Sequence, residues 1–155
     1  MNVTDERGSV LIPLSPPAFQ IKHLDAIDLQ QSQMCRVKPL HMCQALTVHA
    51  QIEEEIFYST AREALGDEGK DLLDEAKVEH ETLKDLIEQI EGSDSDDDLF
   101  DAHVKVLGEY VKHHVKEEEG ELFPNLRKSE MDLVEVGAQL AARKKELMAQ
   151  MKAAA

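Results

Sequence analysis

Two stretches of the chain carry histidine and glutamate four residues apart: His49 and Glu53 in HAQIEEEIF, and His114 and Glu118 in HVKEEEGEL. Imidazole plus carboxylate suits iron, and also manganese or zinc. On an α-helix a spacing of four places both side chains on one face, about one turn apart. A third histidine, His80, lies between the two stretches in LDEAKVEHETLKD. Two such pairs and one more histidine could converge on metal. A carboxylate has two oxygens and can bridge two ions, so two glutamates suggest a dinuclear centre.

Helices must position these residues, and the composition favours them. Glu, Leu, Ala, Lys and Gln are plentiful, Trp is absent and aromatics are scarce. From about Leu40 onward the chain reads as helices separated by short breaks. The first runs over about 40–65 and stops at Gly66, in the turn Gly66-Asp67-Glu68-Gly69. The second covers about 70–91, with Gly92 as its cap. The acidic loop 93–98 offers N-caps to a third helix over about 98–128, which Pro124 kinks or ends early. A last helix covers about 132–151. Residues 1–39 differ from the rest: they hold Ile12-Pro13, Ser15-Pro16-Pro17 and Lys38-Pro39, and their apolar pattern is irregular. We therefore expect an atypical segment over 1–39 and a helical domain over 40–152, with a short helix around 21–33 as the one regular element upstream.

Apolar residues at spacings of three and four mark the buried faces. The stripes are Met42, Ala45, His49, Glu53, Ile56, Thr60 on the first helix and Leu73, Ala76, His80, Leu83, Ile87, Ile90 on the second. The third gives Phe100, Val104, Leu107, Val111, His114, Glu118, Leu122. His113, Glu117 and Glu121 fall on neighbouring rows and are expected at the periphery. A lone histidine on such a stripe is usually a hydrogen-bonded core residue, and a single His-x-x-x-Glu is common by chance in a glutamate-rich helix. Two pairs in register with apolar stripes are far less so. Burying ionised carboxylates without partners costs several kcal/mol or more. No Lys or Arg shares these stripes; Lys84, four residues after His80, can snorkel outward. A bound metal supplies the compensation.

Other chemistries find less support. The ferritin-like Glu-x-x-His pattern fails, because the residues three before His49, His80 and His114 are Leu46, Lys77 and Val111. There is no His-Glu-x-x-His motif, and the acidic loop lacks the order of an EF-hand. Tyr58 and Tyr110 read as packing residues. Cys35 and Cys43 make no disulfide framework and fit a reduced, cytoplasmic setting. The net charge of −15, from 32 acidic and 17 basic residues, repels nucleic-acid backbones and anionic lipid. No apolar run is long enough to span a bilayer.

CQALTVHAQIEEEIFY, LLDEAKVEHETLKDLIEQIE and LGEYVKHHVKEEEGELFP resemble the hemerythrin-like, or HHE cation-binding, family. The resemblance covers about 42–147. It implies an all-α, up-and-down four-helix bundle with a non-haem di-iron centre, whose ligands would be His49, Glu53, His80, His114 and Glu118, the two glutamates bridging. It also implies binding or sensing of oxygen, or a role with iron, peroxide or nitric oxide, so we expect a metal- and oxygen-binding protein more than an enzyme. The rivals are a di-iron peroxidase or nitric oxide reductase, and a metal-free helical interaction module. One departure stands out. The family opens with a helix bearing an Asp-His motif, and here the corresponding region, SVLIPLSPPAFQ, has no histidine. His23 and His41 are the upstream candidates, and His41 would lie about 12 Å along the axis from His49. An open coordination position, or a mononuclear site, is the alternative. A second copy of the chain covering the groove would make a homodimer.

Overall fold

The computed structural model describes residues 37–94 and 96–154, and every regular element among them is helical. His23, Cys35 and the expected 21–33 helix lie outside the described residues. In chain order the elements are α1 (Val37–Ile52), the π-turn π1 (Glu53–Phe57), α2 (Tyr58–Leu65), a 3-10 turn (Gly66–Gly69) and α3 (Lys70–Glu91). After the acidic loop come α4 (Phe100–Glu117), the π-turn π2 (Glu118–Leu122), α5 (Phe123–Leu126) and α6 (Leu133–Ala154). The four helices expected from residue 40 onward are present, within a few residues of their expected ends.

The breaks have local causes. Gly66 takes φ of +56°, a conformation an L side chain resists and glycine accepts. The Gly92 N–H closes α3 onto the Glu88 carbonyl at 2.9 Å. Asp132 starts α6: its Oδ1 accepts the N–H groups of Val134 and Glu135 at 3.1 and 3.0 Å, the work of an N-cap. The acidic loop does less than expected. Asp97 Oδ1 accepts the Leu99 N–H at 2.8 Å, but no side chain caps α4 itself.

Both π-turns begin at a glutamate four residues after a histidine. The Tyr58 N–H bonds the Glu53 carbonyl, and the Phe123 N–H bonds that of Glu118. Each is a five-residue step, the hydrogen bond of a π-bulge, and such bulges gather at functional sites. Pro124 follows π2, and the helix continues through it to Leu126.

Packing is layered. One apolar cluster joins Met42, Cys43 and Leu46 of α1 to Leu83, Ile87 and Ile90 of α3 and to Phe100, Val104, Leu107 and Val111 of α4. The other joins Phe57, Tyr58 and Ala61 to Leu73 and Ala76 of α3, to Leu122, Phe123 and Leu126, and to Leu133, Val136, Leu140 and Leu147 of α6. Each of the three long rods thus contributes one end to each cluster, and α3 does so in the reverse order. The stripes expected for α3 and α4 are buried throughout. Of the α1 stripe, Met42, His49 and Glu53 are buried and Ala45 is half-buried; beyond π1 the buried row passes to Phe57 and Ala61 instead of Ile56 and Thr60. The extra residue in the turn shifts the register. Arg143 of α6 pairs with Glu55 of π1 (Nε–Oε2 2.8 Å). Among the described residues no helix is long and apolar enough to cross a membrane.

Candidate metal centre

A polar layer lies between the two apolar clusters, and all five expected ligand residues are in it. Their exposures are 7% for His49, 1% for Glu53, 1% for His80, 2% for His114 and 5% for Glu118. His49 Nε2 is 3.0 Å from Glu53 Oε1, and His80 Nε2 is 3.3 Å from Glu53 Oε2. His80 Nε2 and His114 Nε2 face each other at 3.1 Å. His114 Nε2 lies 3.5 Å from Glu118 Oε1. His41 is exposed at the start of α1 and takes no part.

Behind the ligand atoms stand two carboxylates. His114 Nδ1 is 2.5 Å from Glu79 Oε2, and His80 Nδ1 is 3.2 Å from Glu54 Oε1. Lys84 Nζ holds both oxygens of Glu54, at 2.6 and 2.7 Å. A carboxylate only accepts, so each histidine donates its Nδ1–H outward and turns the Nε2 lone pair inward. At 3.1 Å two inward lone pairs need something positive between them.

Donors are too few to satisfy the layer with protons alone. Tyr58 contributes a hydroxyl, 3.1 Å from both His80 Nε2 and Glu118 Oε1, and its single proton serves one of them at a time. Both oxygens of Glu53 and the Nε2 of His49 have no directed hydrogen bond at all. Buried acceptors in that condition are costly. The donor set, imidazole nitrogen plus carboxylate oxygen, fits a transition-metal ion. Two triads offer ligand atoms within 4.8 Å of one another: Glu53, His80 and His114 form one, and His49, Glu53 and Glu118 the other. Glu53 belongs to both.

The electrostatics of the layer push its two carboxylates in opposite directions. Burial pushes Glu53 toward its neutral form, but His49 and His80 together outweigh it and its pKa falls below the usual carboxylate range. Burial, then the charge on Glu53, pushes Glu118 well above that range. The Tyr58 phenol is raised by burial and by the same two carboxylates, so it stays a donor. Burial holds the His114 imidazole down to about 4, neutral and ready to ligate.

Sequence reasoning missed three participants. Glu54 and Glu79 each follow or precede a stripe residue by one position, off the apolar faces that marked the candidates. Tyr58 lies five residues after Glu53, off a 3.6-residue stripe, and only the five-residue π-turn brings it round. The legible signal was the repeat of His-x-x-x-Glu with an apolar pair four and five residues beyond, Phe57-Tyr58 and Leu122-Phe123.

Comparison with known proteins points the same way. Residues 40–126, more than half of the chain, match the family model described as the hemerythrin HHE cation binding domain. A protein named DNA nickase from Nostoc sp. (strain PCC 7120 / SAG 25.82 / UTEX 2576) is 35% identical over 83 residues, which is 53% of this chain and 22% of that protein. The chain thus spans about a fifth of that curated relative. No solved structure matches it significantly.

Proposed function

The chain belongs to the hemerythrin HHE cation-binding domain family, and on that premise we propose that it is a non-haem di-iron protein that binds or senses oxygen or a related small redox ligand. His49, Glu53, His80, His114 and Glu118 would hold the metal, and Glu53 belongs to both candidate triads. Manganese or zinc would fit the same atoms. The carrying observation is the excess of inward lone pairs over donors around Glu53, whose two oxygens have no hydrogen bond. When bound, ferrous iron with a free coordination position supplies reversible binding of a small diatomic. The chain's own part is to orient the two histidines through Glu54 and Glu79, to keep a phenol proton on Tyr58, and to exclude water with the apolar clusters above and below.

The unit we propose is residues 40–152, with 1–39 as an atypical segment, since the family match starts at residue 40. We propose an up-and-down four-helix bundle; the reversed order of the clusters along α3 and the packing of α6 on α1 support it. A cytoplasmic setting rests on the two-cysteine composition. We assign no nicking to this chain, because a net charge of −15 repels phosphate backbones.

One observation favours a second reading, a di-iron redox enzyme: Tyr58 is a buried proton donor beside the ligands. Oxygen exposure separates the two. Iron-loaded, reduced protein should gain a ferric absorbance band on oxygenation and lose it on purging, with one oxygen taken up per pair of irons. Sustained consumption of oxygen or peroxide beyond that amount would move the assignment to the enzyme.

A further inference from the structure

Outside the buried layer, one cluster combines an imidazole and two carboxylates: Glu79, His113 and Glu117, whose ligand atoms lie within 4.8 Å of one another. His113 Nε2 is 3.0 Å from Glu117 Oε1 and 3.7 Å from Glu79 Oε1. His113 is largely exposed, Glu117 is partly so, and Glu79 is 7% exposed. Two carboxylates and an imidazole at these distances form a half-open ligand set for a divalent ion of the first transition row.

The set does not stand alone on the surface. Beside it a cleft of about 30 Å³ lies between α3 and the α4–π2 rod, lined by five glutamates, Glu79, Glu117 and Glu118 among them, and by Leu72, Ala76 and Leu122, with room for about two water-sized bodies. Glu118 is 5% exposed and belongs to the buried triad with His49 and Glu53. The surface cleft therefore shares a lining residue with the candidate buried triad. Glu79 makes the second link, since its Oε2 holds His114 Nδ1 while its Oε1 faces His113.

We propose that Glu79, His113 and Glu117 form a second, surface cation site, and that it passes divalent metal inward along the glutamate-lined cleft through Glu118. The charged residues of its lining are all acidic, so the cleft concentrates cations at its mouth. The captured ion exchanges its outer carboxylates for Glu118 and then for the histidines, each carboxylate oxygen or imidazole nitrogen replacing another ligand atom, with no change of oxidation state. Passage inward rests on the buried centre proposed above; the outer site does not.

Two experiments test it with cobalt(II) and iron(II) as probes on the full chain. In Glu53→Ala, which removes the residue shared by both inner triads, the absorbance of bound cobalt(II) should persist, and adding His113→Ala should abolish it. No cobalt(II) binding by Glu53→Ala, or equal binding with and without His113, overturns the surface site. In the parent, His113→Ala with Glu117→Gln alters surface side chains, so helicity should be unchanged. That variant should reach the same final iron content, about ten-fold more slowly. An equal loading rate overturns the passage inward. A parent that takes up no buried metal defeats the reading of the inner centre, while cobalt(II) bound by Glu53→Ala and lost with His113→Ala still upholds the outer site.

Discussion

At the scale of single residues, the histidines are made useful by what stands behind them. Glu54 fixes the ring of His80 and is itself held by Lys84. Glu54→Ala removes that support without touching a ligand atom. The expected result is a loss of about 10–100-fold in metal affinity with unchanged helicity, measured by competition with a chromogenic chelator. Unaltered affinity would mean that His80 is oriented by packing alone. Cys43 shows the opposite use of burial. It is fully enclosed in the cluster with Met42 and Leu46, and burial, reinforced by Glu91, pushes its thiol up to about 11. Thiolate is the reactive form, so alkylation of the folded chain in mildly alkaline buffer should leave Cys43 unmodified and unfolding should open it. Mass spectrometry of the Cys43 peptide reads the result; modification in the folded state would show that α1 opens locally.

At the scale of elements, regular helices were legible and irregular ones were not. The α3 stripe from Leu73 to Ile90 and the α4 stripe from Phe100 to His114 follow a 3.6-residue period, and the sequence pattern locates them correctly. The period fails past Glu53, because no propensity marks a π-turn in EEEIF. That single extra residue hid Phe57, Ala61 and Tyr58. In α4 the same device cost nothing, since Leu122 is buried in either register. His49, Glu53, His80, His114 and Glu118 could be read because they sit on apolar stripes. Glu54 and Glu79 could not, because a polar residue beside a stripe looks like solvated surface until the fold shows which ring it faces. The π-turns give an element-scale prediction. A Cβ at Gly120 would meet nothing within 4 Å, so Gly120→Ala should raise stability by about 0.5–1 kcal/mol. Deleting Gly120 should instead rotate Leu122, Phe123 and Leu126 by about 100° off the core and destabilise strongly. Chemical denaturation of the two variants checks both signs, and a deletion as stable as the parent would contradict the role given to π2.

At the scale of the molecule, three rods meet in a polar layer with apolar packing above and below, and α6 closes one side of the lower cluster. This arrangement makes the layer a liability unless an ion fills it, since Glu53 is 1% exposed with neither oxygen hydrogen-bonded. The net charge of −15 favours cations over anionic partners at every approach to it. The most direct measurement is iron per chain after anaerobic loading and desalting, in the parent and in Glu53→Ala. The account predicts about two irons in the parent, a small fraction of that in the variant, and the same helicity in both. A folded parent that retains almost no iron, or a Glu53→Ala chain that retains as much as the parent, would contradict it.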